Sequence, residues 1–135
     1  MRVSPSKTFG NLLAVMIGFV LLANAIMKMS EDSGSIFYQH YNQIGIVEYL
    51  YYFGLVELIV VLIYLIPFLA PIGVLMVSTQ IGFDLILGLS FSDSYVFNLI
   101  ILFSVWVSAY LRNPEMFSGI ELPEYFRPQK DEDDC

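Results

Sequence analysis

The sequence predicts an all-α, polytopic membrane protein folded as a four-helix transmembrane bundle, and three observations predict it. Hydrophobic residues make up 57% of the 135 positions and charged residues only 14%, with a mean hydropathy of +0.69. A soluble domain runs at about 45–50% apolar and about 25% charged, so too little polar surface is left here to cover a water-soluble fold. Four stretches are long enough, and poor enough in charge, to cross about 30 Å of hydrocarbon at about 1.5 Å per residue. Prolines and short polar clusters separate those stretches. The same composition excludes a disordered chain, which would be poor in aromatic and aliphatic residues.

The first span is expected at about 9–29 and the second at about 47–66. The third is expected at about 71–89 and the fourth at about 95–111, both somewhat short. Pro67 and Pro71 bracket the turn between the second and third spans, because proline removes a helix hydrogen bond and bars the preceding residue from helical geometry. Pro71 also suits a first helical turn. Ser90, Ser92, Asp93 and Ser94 make the next turn, with Asp93 or Ser94 as the cap of the fourth helix. The loop 30–46 opens on a polar break, Glu31 to Ser35. Phe37, Tyr41 and Ile44 then recur at helical spacing, which reads as a short helix lying in the membrane interface. Tyr49, Tyr51 and Tyr52 resemble an aromatic belt. Residues 1–112 thus form the transmembrane domain. Residues 113–135 form a cytoplasmic acidic tail, with 116–126 on the surface and the run Asp131, Glu132, Asp133 and Asp134 at its end.

That run supplies much of the net charge of −7. A chain this acidic is not expected to bind nucleic acid, which needs Lys and Arg against phosphates. Five of the six Lys and Arg residues lie in the two tails (Arg2, Lys7, Arg112, Arg127 and Lys130), and only Lys28 lies at the other side. Both termini are therefore expected to be cytoplasmic, in a bacterial-type inner membrane. Ala23-Asn24-Ala25 has the small-x-small form of a signal-peptide cleavage site, but the apolar region before it is longer than a signal core. The first span is accordingly read as retained.

An ionisable residue inside a bilayer costs at least about 2.5–3.5 kcal/mol, so it needs a partner or a task. The candidates are Asn24, Lys28, Glu57, Gln80, Asp84 and Asn98. Counting helix rise from the middle of each span puts Glu57 and Gln80 near the midplane. Asp84, Asn24 and Asn98 fall about 6–8 Å further out, and Lys28 and Glu48 near the outer boundary. Lys28 can pair with Glu48, snorkel outward, or bend inward towards Asp84. Glu57 is expected to face the bundle and, if no cation is near, to be a neutral acid. Small residues share faces with these groups: Gly73, Val77 and Gly88 with Gln80 and Asp84 on the third span, and Ala14, Gly18 and Ala25 with Lys28 on the first. Two readings follow. The polar groups hold helices together, or they converge on one outward-opening ligand or proton site with Lys28 at its mouth.

Other chemistries lack their residues. His40 is the only histidine and lies in a loop, and Cys135, the only cysteine, ends the chain. No metal, haem or iron–sulfur site is expected, nor any other cofactor. No phosphate-binding loop or Gly-x-Ser-x-Gly element occurs, and no catalytic residue is assigned.

Several short pieces resemble the DoxX-like family of small four-helix membrane proteins. They are Gly18 through Lys28-Met29, then Gly54-Leu55-Val56-Glu57-Leu58, then Leu65-Ile66-Pro67 with Gly73, and finally Val105-Trp106 followed by Tyr110-Leu111-Arg112. Together they cover about residues 9–117. The resemblance implies Lys28 and Glu57 as the family-like polar positions, with Trp106 and Arg112 ending the last helix. The third span departs from it. Gly82-Phe83 replaces a Gly-Gly pair, Gly88 stands about where a histidine is common, and Asp84 is extra. The function implied is a non-enzymatic accessory or small-ligand-binding membrane protein. A membrane subunit of a quinone-linked redox complex is the alternative, with Glu57 and Asp84 for protons and Trp106 or the tyrosines for ring stacking. A small transporter is the third reading. The expected partners are the lipid bilayer and either a membrane protein or a quinone.

Overall fold

The computed structural model describes residues 5–30, 32–91 and 95–118, and every regular element among them is helical. In chain order these are α1 (Pro5–Met29), α2 (Ile36–Gln43), a 3₁₀ turn (Val47–Tyr49), α3 (Leu50–Leu65), α4 (Ala70–Ser90), α5 (Val96–Arg112) and α6 (Glu115–Ser118). Three segments are long and apolar enough to cross a membrane: α1, the 3₁₀ turn continued by α3, and α4. Helix α5 is a shorter apolar helix. The fourth expected span is thus a helix in its expected place.

Helices α1 and α4 each pack against both α3 and α5. The core between them holds Ala14, Ile17 and Leu21 of α1, Val60, Val61 and Tyr64 of α3, Val77 and Ile81 of α4, and Val105 and Ala109 of α5. The outward faces are apolar too, with Phe19 69% and Phe103 73% exposed. Water would leave such surfaces unsatisfied, whereas lipid suits them. Two hydroxyls on these helices bond within their own helix: Thr79 donates to the Leu75 carbonyl at 2.9 Å, and Ser104 to that of Ile100 at 2.8 Å.

Glycine sets the helix separations. A methyl group on Gly54 would fall 2.8 Å from the Ala25 carbonyl oxygen and 3.0 Å from the Met29 nitrogen, so α3 touches the backbone of α1 there. Gly18 faces Leu65, which makes α1 and α3 antiparallel. Gly73 lies against the Tyr64 backbone, and Gly10 against Leu111 and Arg112. Arg112 is buried, and its guanidinium donates to the Tyr64 carbonyl at 3.1 Å and the Leu65 carbonyl at 3.3 Å. These are carbonyls of the last turn of α3, which have no partner within the helix and sit at its negative dipole end. Ser108 adds a bond from α5 to the Gly10 carbonyl at 3.0 Å.

The expected short helix in the first loop is α2. Ser35 caps it by accepting the Tyr38 N–H at 3.1 Å. At its other end Gly45 takes φ +75°, Gly45 N donates to the Asn42 carbonyl and Ile46 N to the Tyr41 carbonyl. That pair of bonds is a Schellman ending, which needs a residue tolerant of left-handed geometry. Of the expected apolar face, Tyr41 is buried and Phe37 half-buried, while Ile44 stays exposed because it is already the cap.

Two boundaries differ from expectation. Helix α1 is already helical at Pro5, the first described residue and four before 9, and proline is compatible with a first helical turn. The region after the last span is not all surface: α6 brings Met116 and Phe117 onto the main core, where Phe117 packs edge-on against Trp106 and Tyr110. The expected caps Asp93 and Ser94, and the acidic end of the tail, lie outside the described residues.

The glycine contacts give a direct expectation. Gly54→Ala and Gly73→Ala should each destabilise the purified protein by about 1–3 kcal/mol, since the methyl meets backbone. Gly82→Ala, which meets nothing within 4 Å, should be neutral or stabilising. Thermal unfolding in detergent checks this, and equal effects at the three positions would contradict it.

Candidate functional site

Lys28 sits in the last turn of α1, Glu57 in the middle of α3 and Asp84 in the second half of α4. The Lys28 ammonium donates to Glu57 Oε2 at 2.7 Å and to Asp84 Oδ1 and Oδ2 at 3.1 and 2.9 Å. The side chains of Lys28, Glu57 and Asp84 are 4%, 3% and 12% exposed. Of the three courses open to Lys28, the structure shows the inward one, extended to Glu57 as well. Glu48 remains exposed in the 3₁₀ turn. Glu57 does face the bundle, and it has a cation.

Helix rise places Glu57 about 6 Å deeper than Asp84, yet one ammonium touches both. Side chains on a helix lean towards its N-terminus. Helix α3 runs opposite to α1 and α4, so Glu57 leans one way while Lys28 and Asp84 lean the other. The three heads therefore meet between their backbone levels. The Lys28 ammonium also lies 4.9 Å from the centre of the Phe37 ring, a favourable cation–π contact from α2.

Two cavities meet at the triad. The first, of about 260 Å³, is lined by the polar Lys28, Glu57, Asp84, Gln80 and Thr79 and by Tyr41, Phe53, Val56 and Phe83. The second, of about 350 Å³, lies between Asp84 and Asn98 and is walled by Phe37, His40, Leu87 and Phe97. Asp84 borders both. Four of the six sequence candidates thus share one cavity, and Asn98 joins Asp84 in the other. Asn24 is half-buried and lines neither cavity. Its neighbour Ala25, fully buried, is the residue that faces α3 across Gly54, which turns Asn24 aside.

The aromatic wall was not among the candidates. Tyr41, Phe53 and Phe83 pack together, with Phe53 and Phe83 nearly parallel at 5.9 Å and Tyr41 edge-on to both. Helical spacing marked Tyr41 as part of an apolar face. Phe53 and Phe83 carry no signal that separates them from other apolar residues of their spans. Burial pushes the Tyr41 phenol up to about 12, with Asp84 and Glu57 adding to the shift and Lys28 opposing it. Tyr41 therefore presents a neutral hydroxyl at physiological pH.

All-helical architecture with three to four apolar helices able to span a bilayer suits a membrane protein. Compared with models of known families, with curated proteins and with solved structures, the chain matches none.

The triad predicts how Glu57 responds to substitution. Glu57→Gln keeps an oxygen acceptor for Lys28 and leaves one acid to balance one base, so it should change stability by no more than about 1 kcal/mol. Glu57→Lys sets a second ammonium beside the first and should destabilise by at least about 3 kcal/mol. Recovery of monodisperse protein after a heating series measures both, and equally severe losses would contradict the geometry.

Proposed function

We propose that the chain is a DoxX-like, four-helix transmembrane bundle of a cell inner membrane, with both termini cytoplasmic. It acts as a non-enzymatic accessory or small-ligand-binding protein, and its ligand sits in the first cavity. The observation that carries this reading is the shape and chemistry of that cavity. Its lining combines an ammonium, two carboxylates, the Gln80 amide and Thr79 with the aromatic and aliphatic side chains of Tyr41, Phe53, Val56 and Phe83. An apolar cavity of about 240 Å³, lined by Ile46, Tyr49 and Tyr52, adjoins it and shares Phe53 and Val56. A ligand with a polar head and an apolar body matches that sequence of surfaces. The DoxX-like reading rests on the sequence resemblance, in which Lys28 and Glu57 are the family-like polar positions.

A second reading, a membrane subunit that touches a quinone, draws on the near-parallel Phe53 and Phe83 rings that line the first cavity with Glu57 and Asp84. Co-purification of a dehydrogenase or oxidase would favour this reading. A small transporter draws less support, because α1, α3 and α4 are each continuous helices rather than broken ones.

Native mass spectrometry of the detergent-purified protein tests the ligand-binding reading. Wild type should carry a small amphipathic adduct, and Val56→Trp, which adds bulk at the wall of the first cavity, should lose it. Detection of bulk phospholipid alone on both proteins would count against the proposal.

A further inference from the structure

The triad is not neutral: two carboxylates face one ammonium, and among the described residues no second cation pairs with them. Arg112, the other buried cation described, is bonded to the α3 carbonyls. A surplus negative charge in a low-dielectric interior is unfavourable until a proton or a cation matches it. Where a cation would go depends on which acid it can reach. Glu57 is 3% exposed and lines only the first cavity. Asp84 is the more accessible acid, and it also lines the second cavity, which Lys28 does not.

The second cavity suits an organic cation in its other walls as well. Phe97 offers aromatic surface, and Asn98 offers an amide oxygen. Leu87 and Met27 provide apolar contact for a chain. Its volume of about 350 Å³ lies at the lower end of small-molecule sites, which run from about 300 to 1,000 Å³. We infer that this second cavity is a binding site for a monovalent organic cation, an ammonium group carrying a short apolar chain, held by the Asp84 carboxylate where it borders that cavity. The inference needs no assumption about what fills the first cavity.

Hexyltrimethylammonium is a suitable probe, with hexanol as its uncharged counterpart, titrated by calorimetry against full-length protein in a neutral detergent. The cation should bind at least about tenfold more tightly than hexanol, a comparison that requires no variant. Asp84→Asn should reduce the cation's affinity by at least about tenfold, and so should Gly88→Leu, which adds bulk at the wall of the second cavity. Val56→Trp, at the first cavity, should leave it within about twofold. Helix content by circular dichroism confirms that each variant is folded. Equal binding of hexanol and the cation would overturn the inference. So would an Asp84→Asn protein that is folded and binds as wild type, or a larger loss from Val56→Trp than from Gly88→Leu, which would move the probe to the first cavity.

Discussion

An ammonium group withdrawn from water must recover both its charge balance and its three hydrogen bonds, and the position of Lys28 makes that requirement a constraint on the whole fold. Its donors go to one oxygen of Glu57 and both oxygens of Asp84. Those acceptors belong to two other helices, so the requirement can be met only when α1, α3 and α4 lie close together at this end of the molecule. Gly54 permits the approach, since it lets α3 rest on the backbone of α1 beside Ala25 and Met29. Helix α2 closes over the same point, bringing the buried Tyr41 and the Phe37 ring to the ammonium.

The opposite end uses a different solution to the same problem. There the unmet groups are the last carbonyls of α3, and a cation from α5 meets them. Gly73 and Gly10 allow α4 to approach α3 and α1 to approach α5 closely, as Gly54 does at the triad. Each end thus joins helices through one buried basic side chain, and the span between is filled by Val, Ile, Leu and Ala. The ends differ in what they leave over. Arg112 faces only partial charges, whereas Lys28 faces two full ones. That residual negative charge lies beside cavities, which is why the functional proposals gather there.

Much of this was legible in the sequence because charge stands out in an apolar run. Lys28, Glu57, Asp84 and Gln80 were marked by that contrast alone, and four of the six candidates share one cavity. The prolines at 67 and 71 located a turn, and the spacing of Phe37, Tyr41 and Ile44 after the polar break located α2, although Ile44 is its cap and stays exposed. Depth counted along the backbone was less informative. It separated Glu57 from Asp84 because it ignored the lean of side chains in antiparallel helices. It also grouped Asn24 with Asp84, although depth says nothing about which face a residue occupies. Phe53 and Phe83 were illegible for a simpler reason: an aromatic wall of a cavity and an aromatic residue against lipid have the same sequence. Met116 and Phe117 followed a proline in a polar tail, and only the fold shows that α6 returns to the core.

The central claim is that Lys28, Glu57 and Asp84 act as one bonded unit across three helices. A double-mutant cycle on stability tests it most directly, with Lys28→Met, Asp84→Asn and the combined variant unfolded under identical detergent conditions. Lys28→Met strands two carboxylates, and Asp84→Asn in that background removes one of them, so the combined loss should fall short of the sum of the single losses by at least about 1.5 kcal/mol. Losses that add to within about 0.5 kcal/mol would mean the two groups do not meet, and the account of the fold built on that contact would fail.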